Sequence, residues 1–366
     1  MATPLIMLAA GGTGGHLFPA EALSHALHAR GARVVLMTDT RAAAYAGSFP
    51  AEAVHAVPAA TPSGRSPLKM AGAVLKLVQG TIAARSIVKR VKPAVVVGFG
   101  GYPTVPPVLG ASLAGLRTVI HEQNAVMGRA NRFLAGRATL IATGFAEVGG
   151  IAGALQDKCR HVGNPVRPAV LAAAGQAYDA PGEGPIRLLV FGGSQGARVM
   201  ADIVPPAVEL LTEAERARLA IVQQARAEDE GRVRAVYDRL GIQATISPFF
   251  KDLPAQMAAS HLVIGRSGAS TVAELTVIGR PALLVPLPGS LDQDQAANAA
   301  FLERAGGAKR ILQPDFTPQR LAAELSALLA RPADLTAMAA NAKSAGIPDA
   351  ADRLADLVIA TAHSQN

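Results

Sequence analysis

The chain has 366 residues, of which half are hydrophobic and 17% charged, with a formal net charge of +8. That length exceeds one ordinary core and implies two domains, and the apolar share excludes a disordered chain. A single cysteine, Cys159, excludes an internal disulfide and fits a reducing compartment.

Leu5 to Ala9 reads as a short apolar strand. A first strand rather than a signal peptide is expected, because MATPLIMLAAGG has neither a basic n-region nor a cleavage pattern. The loop GGTGGH follows and predicts a helix from about Phe18 to Arg30. Val34 to Met37 is the next strand, then a helix near Leu68 to Val91, a strand at Ala94 to Val97 and the loop GFGGYPT. Thr118 to His121 closes another strand, with HEQNAVMG after it. Alternation of this kind implies a parallel sheet with helices on both faces.

The uncharged run Pro93 to Leu116 is long enough for a bilayer but is broken by Gly98, Gly100, Gly101, Pro103, Pro106 and Pro107. A lipid-spanning helix there would leave backbone groups unsatisfied, so a soluble or peripheral protein is expected. From Ala53 through His121 there is no Asp or Glu, and the eight basic residues of that stretch account for the whole net charge. They are Arg65, Lys69, Lys76, Arg85, Lys89, Arg90, Lys92 and Arg117. A nucleic-acid reader would interleave aromatic rings for stacking. Phe99 and Tyr102 are the only two here, so no nucleic acid is expected. Anionic lipid or a pyrophosphate substrate fits better, and a plain solvated basic face is the bland alternative.

Asn164 to Pro185 holds four prolines and reads as a linker. The pattern then restarts with strand Ile186 to Phe191, the loop GGSQGA and a helix from about Arg198. Strands at Leu219 to Val222, Ala244 to Ile246, Leu262 to Ile264 and Ala282 to Val285 follow. Two doubly wound, Rossmann-like α/β domains are expected, residues 1–164 and 165–345. Ligands should lie in the interdomain cleft, and a C-terminal helix within 346–366 should pack back on the first domain.

Glycine-rich turns that open helices bring free N–H groups and a partial positive charge to a phosphate. Gly14 and Gly15 of the first loop and Ser194 of the second are candidates. Neither loop meets the dinucleotide or phosphate-loop motif, although Asp39 resembles a dehydrogenase's ribose-binding acid. Arg266 to Glu274, RSGASTVAE, follow a buried strand and open a helix. Hydroxyls and N–H groups there suit a diphosphate, and Glu274 is either a ribose-binding carboxylate or a helix-stabilising acid. His16 is either a general base or a hydrogen-bonding helix-start residue. His25 and His28 read as surface residues. No HExxH or paired-cysteine motif indicates a metal.

The ordered set GGTGGHLFPA, GFGGYPTVP, HEQNAVMGRAN, VGNPVR, FGGSQGAR, RSGASTVAEL, DQDQAANA and IPDAADRLA resembles the MurG family, UDP-N-acetylglucosamine:lipid I N-acetylglucosaminyltransferases. It spans Gly11 to Leu354. The resemblance implies a two-domain GT-B glycosyltransferase fold, inversion at the anomeric carbon, and peripheral attachment to the cytoplasmic face of the inner membrane. Its partners would be UDP-N-acetylglucosamine, lipid I and an anionic phospholipid surface. It implies a donor site of Thr13, Gly14, Gly15, Asn124, Arg167 and Ser194. Ala269, Ser270, Thr271, Val272, Ala273 and Glu274 would hold diphosphate and ribose, and Gln295 the amino sugar. Backbone near Phe250, a position commonly aliphatic in the family, would meet uracil. Asp294 stands where a histidine or neutral polar residue is expected.

The implied reaction is displacement by the muramic acid 4-hydroxyl, with His16 as base and no cofactor; no metal is required to stabilise the leaving group, and assistance by a divalent ion stays open. Rival readings are a UDP-sugar 2-epimerase or glycolipid synthase on the same fold, a nicotinamide-dependent dehydrogenase, and a membrane-binding scaffold.

Overall fold

The computed structural model describes residues 3–11, 14–40, 49–61, 67–182, 184–193, 196–290 and 293–364. The chain forms two compact units, Met1–Arg167 with Pro348–Asn366, and Pro168–Ile347.

The first unit runs β1 (Leu5–Ala9), α1 (Gly14–Ala29), β2 (Arg33–Asp39), β3 (Ala53–Val57), α2 (Pro67–Val91), β4 (Val95–Gly98), α3 (Val105–Ser112), β5 (Arg117–Glu122), α4 (Arg129–Ala135), β6 (Leu140–Thr143) and β7 (Cys159–His161). All strand pairings are parallel, in the order β3-β2-β1-β4-β5-β6-β7. Alternation along β1 sets up the layers. Ile6 and Leu8 pack with Leu23 and Leu27 of α1. Met7 and Ala9 pack on the other face with Ala84 and Val88 of α2 and Val105 and Val108 of α3. A sheet covered on both faces needs strands that are apolar throughout, which is why VVLM and VVVG read as continuous runs.

The C-terminal helix Ala350–His363 belongs to this unit. Leu354, Ala355 and Val358 enter the α1 side of its core. Arg30 pairs with Asp352 and Asp356 at 2.7 Å each. Those carboxylates are largely exposed, so the apolar burial, roughly 1.5–3 kcal/mol per large side chain, is the stronger anchor.

The second unit runs α5 (Pro168–Ala174), β8 (Ile186–Phe191), α6 (Arg198–Glu209), α7 (Glu213–Arg216), β9 (Leu219–Gln224), α8 (Ala227–Arg239), β10 (Gln243–Ser247), α9 (Leu253–Ala259), β11 (Leu262–Gly265), α10 (Ala269–Ile278), β12 (Ala282–Leu284), α11 (Asp294–Arg304), β13 (Ala308–Arg310), α12 (Pro318–Ala330) and α13 (Pro332–Ser344). Its parallel sheet has the order β10-β9-β8-β11-β12-β13.

In each unit the strand order reverses beside the first strand, between β1 and β4 and between β8 and β11. Loops leaving the carboxyl ends of strands at such a switch point diverge to opposite faces and leave a crevice. The crevice of the first unit lies at the carboxyl ends of β1 and β4, beside Gly11 and the FGGYPT loop. That of the second lies at the carboxyl ends of β8 and β11, beside Gly192, Gly193 and RSGAS.

One expectation changes. Asn164 to Pro185 is not slack chain: Pro168, with its fixed φ, opens α5, and Val170 is fully buried. Asn164 is also buried and donates through Nδ2 to the Gln123 carbonyl at 2.8 Å. The uncharged run Pro93 to Leu116 folds into β4 and α3. Among the described residues the helix long and apolar enough to cross a membrane, by length and composition, is instead α2. It carries Lys69, Lys76, Arg85, Lys89 and Arg90, and one face packs on the unit through Ala73, Gly80, Thr81, Ala84 and Val88.

Candidate functional site

In the first unit α1 begins at Gly14, four residues earlier than the sequence suggests, which places His16 in its first turn. At Gly11, just after β1, only glycine fits: a Cβ there would lie 2.8 Å from Asp39 Oδ1 and 2.9 Å from Pro103 Cβ. The ends of β1, β2 and the GFGGYPT loop converge at that point. Gly100 and Gly101 have φ of 80° and 71°. A Cβ on Gly101 would sit 3.1 Å from His16 Cδ2 and Nε2, so this loop leaves the imidazole its space. Thr13 and Ser194 lie outside the described residues.

HEQN caps β5 with polar groups at the sheet's carboxyl edge. His16 Nδ1 is 3.3 Å from Gln123 Oε1, and Gln123 Nε2 donates to the Phe99 carbonyl at 2.8 Å. Glu122 is buried. It accepts from the Asn124 and Gly128 main-chain N–H groups, both at 3.0 Å, and from Asn131 Nδ2 at 2.8 Å. Burial pushes its carboxyl above the ordinary range while these donors pull it back. His121, fully buried, donates from Nε2 to the Gly163 carbonyl at 3.0 Å, and burial pushes its pKa down to about 4. Arg167 stacks its guanidinium over Phe18 of α1, with Cζ 3.9 Å from the ring centroid. The structure thus links Gly14, His16, Asn124 and Arg167 along one edge of the first sheet.

In the second unit the residue after β8 is glycine by necessity, since a Cβ on Gly192 would lie 2.1 Å from Ala197 N. Gly192 N–H donates to Gln224 Oε1 at 3.0 Å. After β11, α10 starts at Ala269 with Gly268 as its N-cap, which offers no side chain to the first-turn N–H groups. Ser270, Thr271 and Ala273 are half-buried there, and Ala269, Val272 and Glu274 are buried. The far end of α10 is closed by Gly279 in the left-handed region and by Arg280. Arg280 is buried and donates to the Ile278, Gly279 and Ala258 carbonyls, offsetting the negative ends of α10 and α9. Burial lowers its pKa from the ordinary value.

Gln295 ties two loops together. Its carbonyl accepts from Ser267 Oγ at 2.8 Å, and its Oε1 accepts from Leu287 N–H at 3.0 Å. Asn298 Nδ2 donates to the Ser267 carbonyl at 3.1 Å. Asp294, unexpected by type, opens α11, where its Oδ1 accepts from Gln295 N–H at 2.7 Å. A carboxylate at a helix start is stabilised by the dipole, which accounts for its being tolerated. Phe250 is half-buried after β10, the edge strand two places from β8 in the sheet. His25 and His28 are exposed. Among the described residues no three His, Cys, Asp or Glu side chains gather as a metal site would need.

Sequence reasoning passed over Glu122, Gln123, Asn131, Gln224 and Arg280. The available signal was polar side chains at the ends of otherwise apolar buried strands, HEQ after TVI and QQ after AIV.

Comparison with known proteins now bears on this geometry. Residues 6–143 match the glycosyltransferase family 28 N-terminal domain and residues 187–354 the glycosyltransferase family 28 C-terminal domain. A Methylobacterium nodulans protein is 62% identical over 365 residues, covering 99% of this chain and 98% of that protein. It is named UDP-N-acetylglucosamine--N-acetylmuramyl-(pentapeptide) pyrophosphoryl-undecaprenol N-acetylglucosamine transferase, as is a 61% identical protein of Rhodopseudomonas palustris, matched over 98% of this chain and 96% of its own length. The chain belongs to glycosyltransferase family 28, and within it to the MurG family. The crystal structure of Acinetobacter baumannii MurG superposes with a TM-score of 0.79 at 29% identity, covering 97% of this chain and 99% of that one. CalG4, the calicheamicin glycosyltransferase, shares the fold alone, with a TM-score of 0.66 at 14% identity over 99% of this chain and 98% of its own. The architecture is the GT-B glycosyltransferase fold, and family membership removes the dehydrogenase and scaffold readings.

Proposed function

We propose that this chain transfers N-acetylglucosamine from UDP-N-acetylglucosamine to the muramic acid 4-hydroxyl of undecaprenyl-pyrophosphoryl-MurNAc-pentapeptide, lipid I, forming lipid II with inversion. The observation that carries this reading is the start of α10: a glycine N-cap, half-buried hydroxyls at Ser270 and Thr271, and the buried carboxylate of Glu274 one turn on. Main-chain N–H groups and hydroxyls suit a diphosphate, and a carboxylate suits the two hydroxyls of a ribose.

In this reading the acceptor oxygen attacks C1 as the C1–phosphate oxygen bond breaks, with its electron pair leaving on UDP. His16 takes the hydroxyl proton. Negative charge on the departing diphosphate falls on the fixed dipoles of α10, which need no reorganisation as the charge grows. No cofactor is needed, so UDP release should be undiminished by a chelator. The face of α2 that carries Lys69 and Lys76 holds the protein on anionic lipid at the cytoplasmic side of the inner membrane.

The decisive assay is UDP release with a lipid I analogue. Release that depends on the analogue supports the reading; release that ignores it, or epimerisation of the free donor, overturns it.

A further inference from the structure

His16 and Gln123 meet through Nδ1 and Oε1, 3.3 Å apart. A neutral imidazole carries its proton on one nitrogen and its lone pair on the other, and the hydrogen bond made by one nitrogen decides which is which. Gln123 is 3% exposed and its amide touches two groups. One is the Phe99 carbonyl, which can only accept; the amide group facing it at 2.8 Å is therefore the NH2. The amide oxygen then faces His16 Nδ1 at 3.3 Å. An amide oxygen can only accept, so Nδ1 is the nitrogen that bears the proton. The lone pair is left on Nε2, the ring atom beside Gly101.

The surroundings hold this amide in place. The Gln123 carbonyl accepts from Asn164 Nδ2 at 2.8 Å. Glu122, the preceding residue, is gripped by Asn131 Nδ2 and by the main-chain N–H groups of Asn124 and Gly128. A flip of the Gln123 amide would set its oxygen against the Phe99 carbonyl and its NH2 against Nδ1–H, two repulsions in a buried site.

We infer that Gln123 is a positioning residue for the transfer: it keeps the proton on His16 Nδ1 and so makes Nε2 the nitrogen that receives the acceptor's proton. This rests on the reading of His16 as the base. The acceptor O–H bond breaks, its proton passes to Nε2, and the oxygen's electron pair forms the bond to C1 as UDP departs. The imidazolium so formed still donates from Nδ1 to the Gln123 oxygen, which spreads its charge. Free histidine favours the opposite tautomer, with the proton on Nε2. Without Gln123 the ring would present a donor where a base is required.

The test uses the full chain with Gln123→Met, which keeps length and burial and removes the acceptor, alone and combined with His16→Ala. Turnover should fall by roughly 10–100-fold, the scale on which the orienting partner of a metal-bound histidine is felt, with donor affinity within about twofold of the parent. On the His16→Ala background the same change should alter turnover less than about twofold, because a residue that acts through its partner has nothing left to act on. Equal losses on both backgrounds, or no loss in the parent, overturn the inference. A second readout is independent of activity. Long-range proton–nitrogen spectra of histidine-labelled protein at alkaline pH, with His16 assigned from the His16→Ala spectrum, should show the Nδ1–H form in the parent and a shift toward Nε2–H in Gln123→Met. A parent in the Nε2–H form overturns the inference alone. Near-normal turnover of His16→Ala overturns the base assignment beneath it, whichever tautomer is seen.

Discussion

The ring of Phe18 is wedged between Gly14 and Arg167. The Arg167 guanidinium carbon lies 3.9 Å from its centroid, and a Cβ on Gly14 would come within 3.0 Å of its edge. The first loop and the segment GNPVR, far apart in the chain, are held in register by this one aromatic side chain. Phe18→Leu keeps the apolar bulk and removes the π face. Loss of a cation–π contact of this kind is worth about 0.5–1 kcal/mol. If Arg167 reaches the donor, as the resemblance to the MurG family implies, calorimetry should show binding weaker by roughly two- to fivefold. Unchanged affinity means that the stack does not set Arg167's position for the donor.

Glu274→Ala should weaken donor binding while leaving the fold intact. The side chain is buried, yet α10 keeps its glycine caps and Arg280 at its far end. Losing a charged acceptor for the ribose hydroxyls should cost on the order of 1.5–3 kcal/mol of affinity. Calorimetry at the parental value, with an unchanged circular dichroism spectrum, would remove Glu274 from the site.

Arg167 and Glu274 lie in motifs the sequence displays openly, and the reason is backbone geometry. Glycine loops after apolar strands announce helix starts, so Gly14, Gly15 and the RSGAST turn can be located without coordinates. β1, β8 and α6 could be placed because long apolar runs end at glycines. β6, β7 and β13 are three- or four-residue strands, and β7 (CRH) and β13 (AKR) lack the apolar run that marks the equally short β4, β11 and β12. α5 hides in a proline-rich stretch because Pro168 starts a helix as readily as it breaks one. Gln123 is invisible in the chain for another reason. Its significance is a contact to His16 across 107 positions, which only the folded sheet edge creates.

The acid limb of stability should carry a mark of His121. Burial depresses its pKa to about 4 in the folded unit, against an ordinary value of 6.5. Between those values the unfolded chain binds the proton and the folded one does not, so stability falls as pH drops from about 6.5 toward 4. The full shift corresponds to roughly 3 kcal/mol. His121→Gln keeps a donor for the Gly163 carbonyl and removes the titration. Urea denaturation at a series of pH values should show a shallower loss for the variant across that window. Parallel curves for variant and parent would mean that other groups carry the acid sensitivity.

The membrane face can be tested on α2. Its buried positions, Ala73, Gly80, Thr81, Ala84 and Val88, form one stripe against the unit, and Gly80 is needed because a Cβ there would strike the Pro58 carbonyl. Packing therefore uses the small residues and leaves the large ones outside: Leu68 is 85% and Ile82 66% exposed, with Met70, Val74, Leu75 and Val78 also exposed between them. Lys69 and Lys76 stand among these side chains. Leaving so much apolar surface in water is unfavourable. An apolar patch studded with lysines instead suits the headgroup boundary of an anionic bilayer, lying in it without spanning it. Each lysine near such a surface contributes about 1 kcal/mol, fading within a Debye length of roughly 8–10 Å. The protein should bind anionic vesicles at low salt, leave neutral ones, and detach in part as salt rises. Changing Lys69 and Lys76 to glutamate should weaken vesicle binding by at least tenfold and lower activity on membrane-embedded acceptor. Activity on a short soluble acceptor should be spared, because Glu274 and the α10 start belong to the other unit. Vesicle binding equal to the parent's would show that α2 is not the membrane face, and its charge would then have to act on the acceptor's pyrophosphate directly.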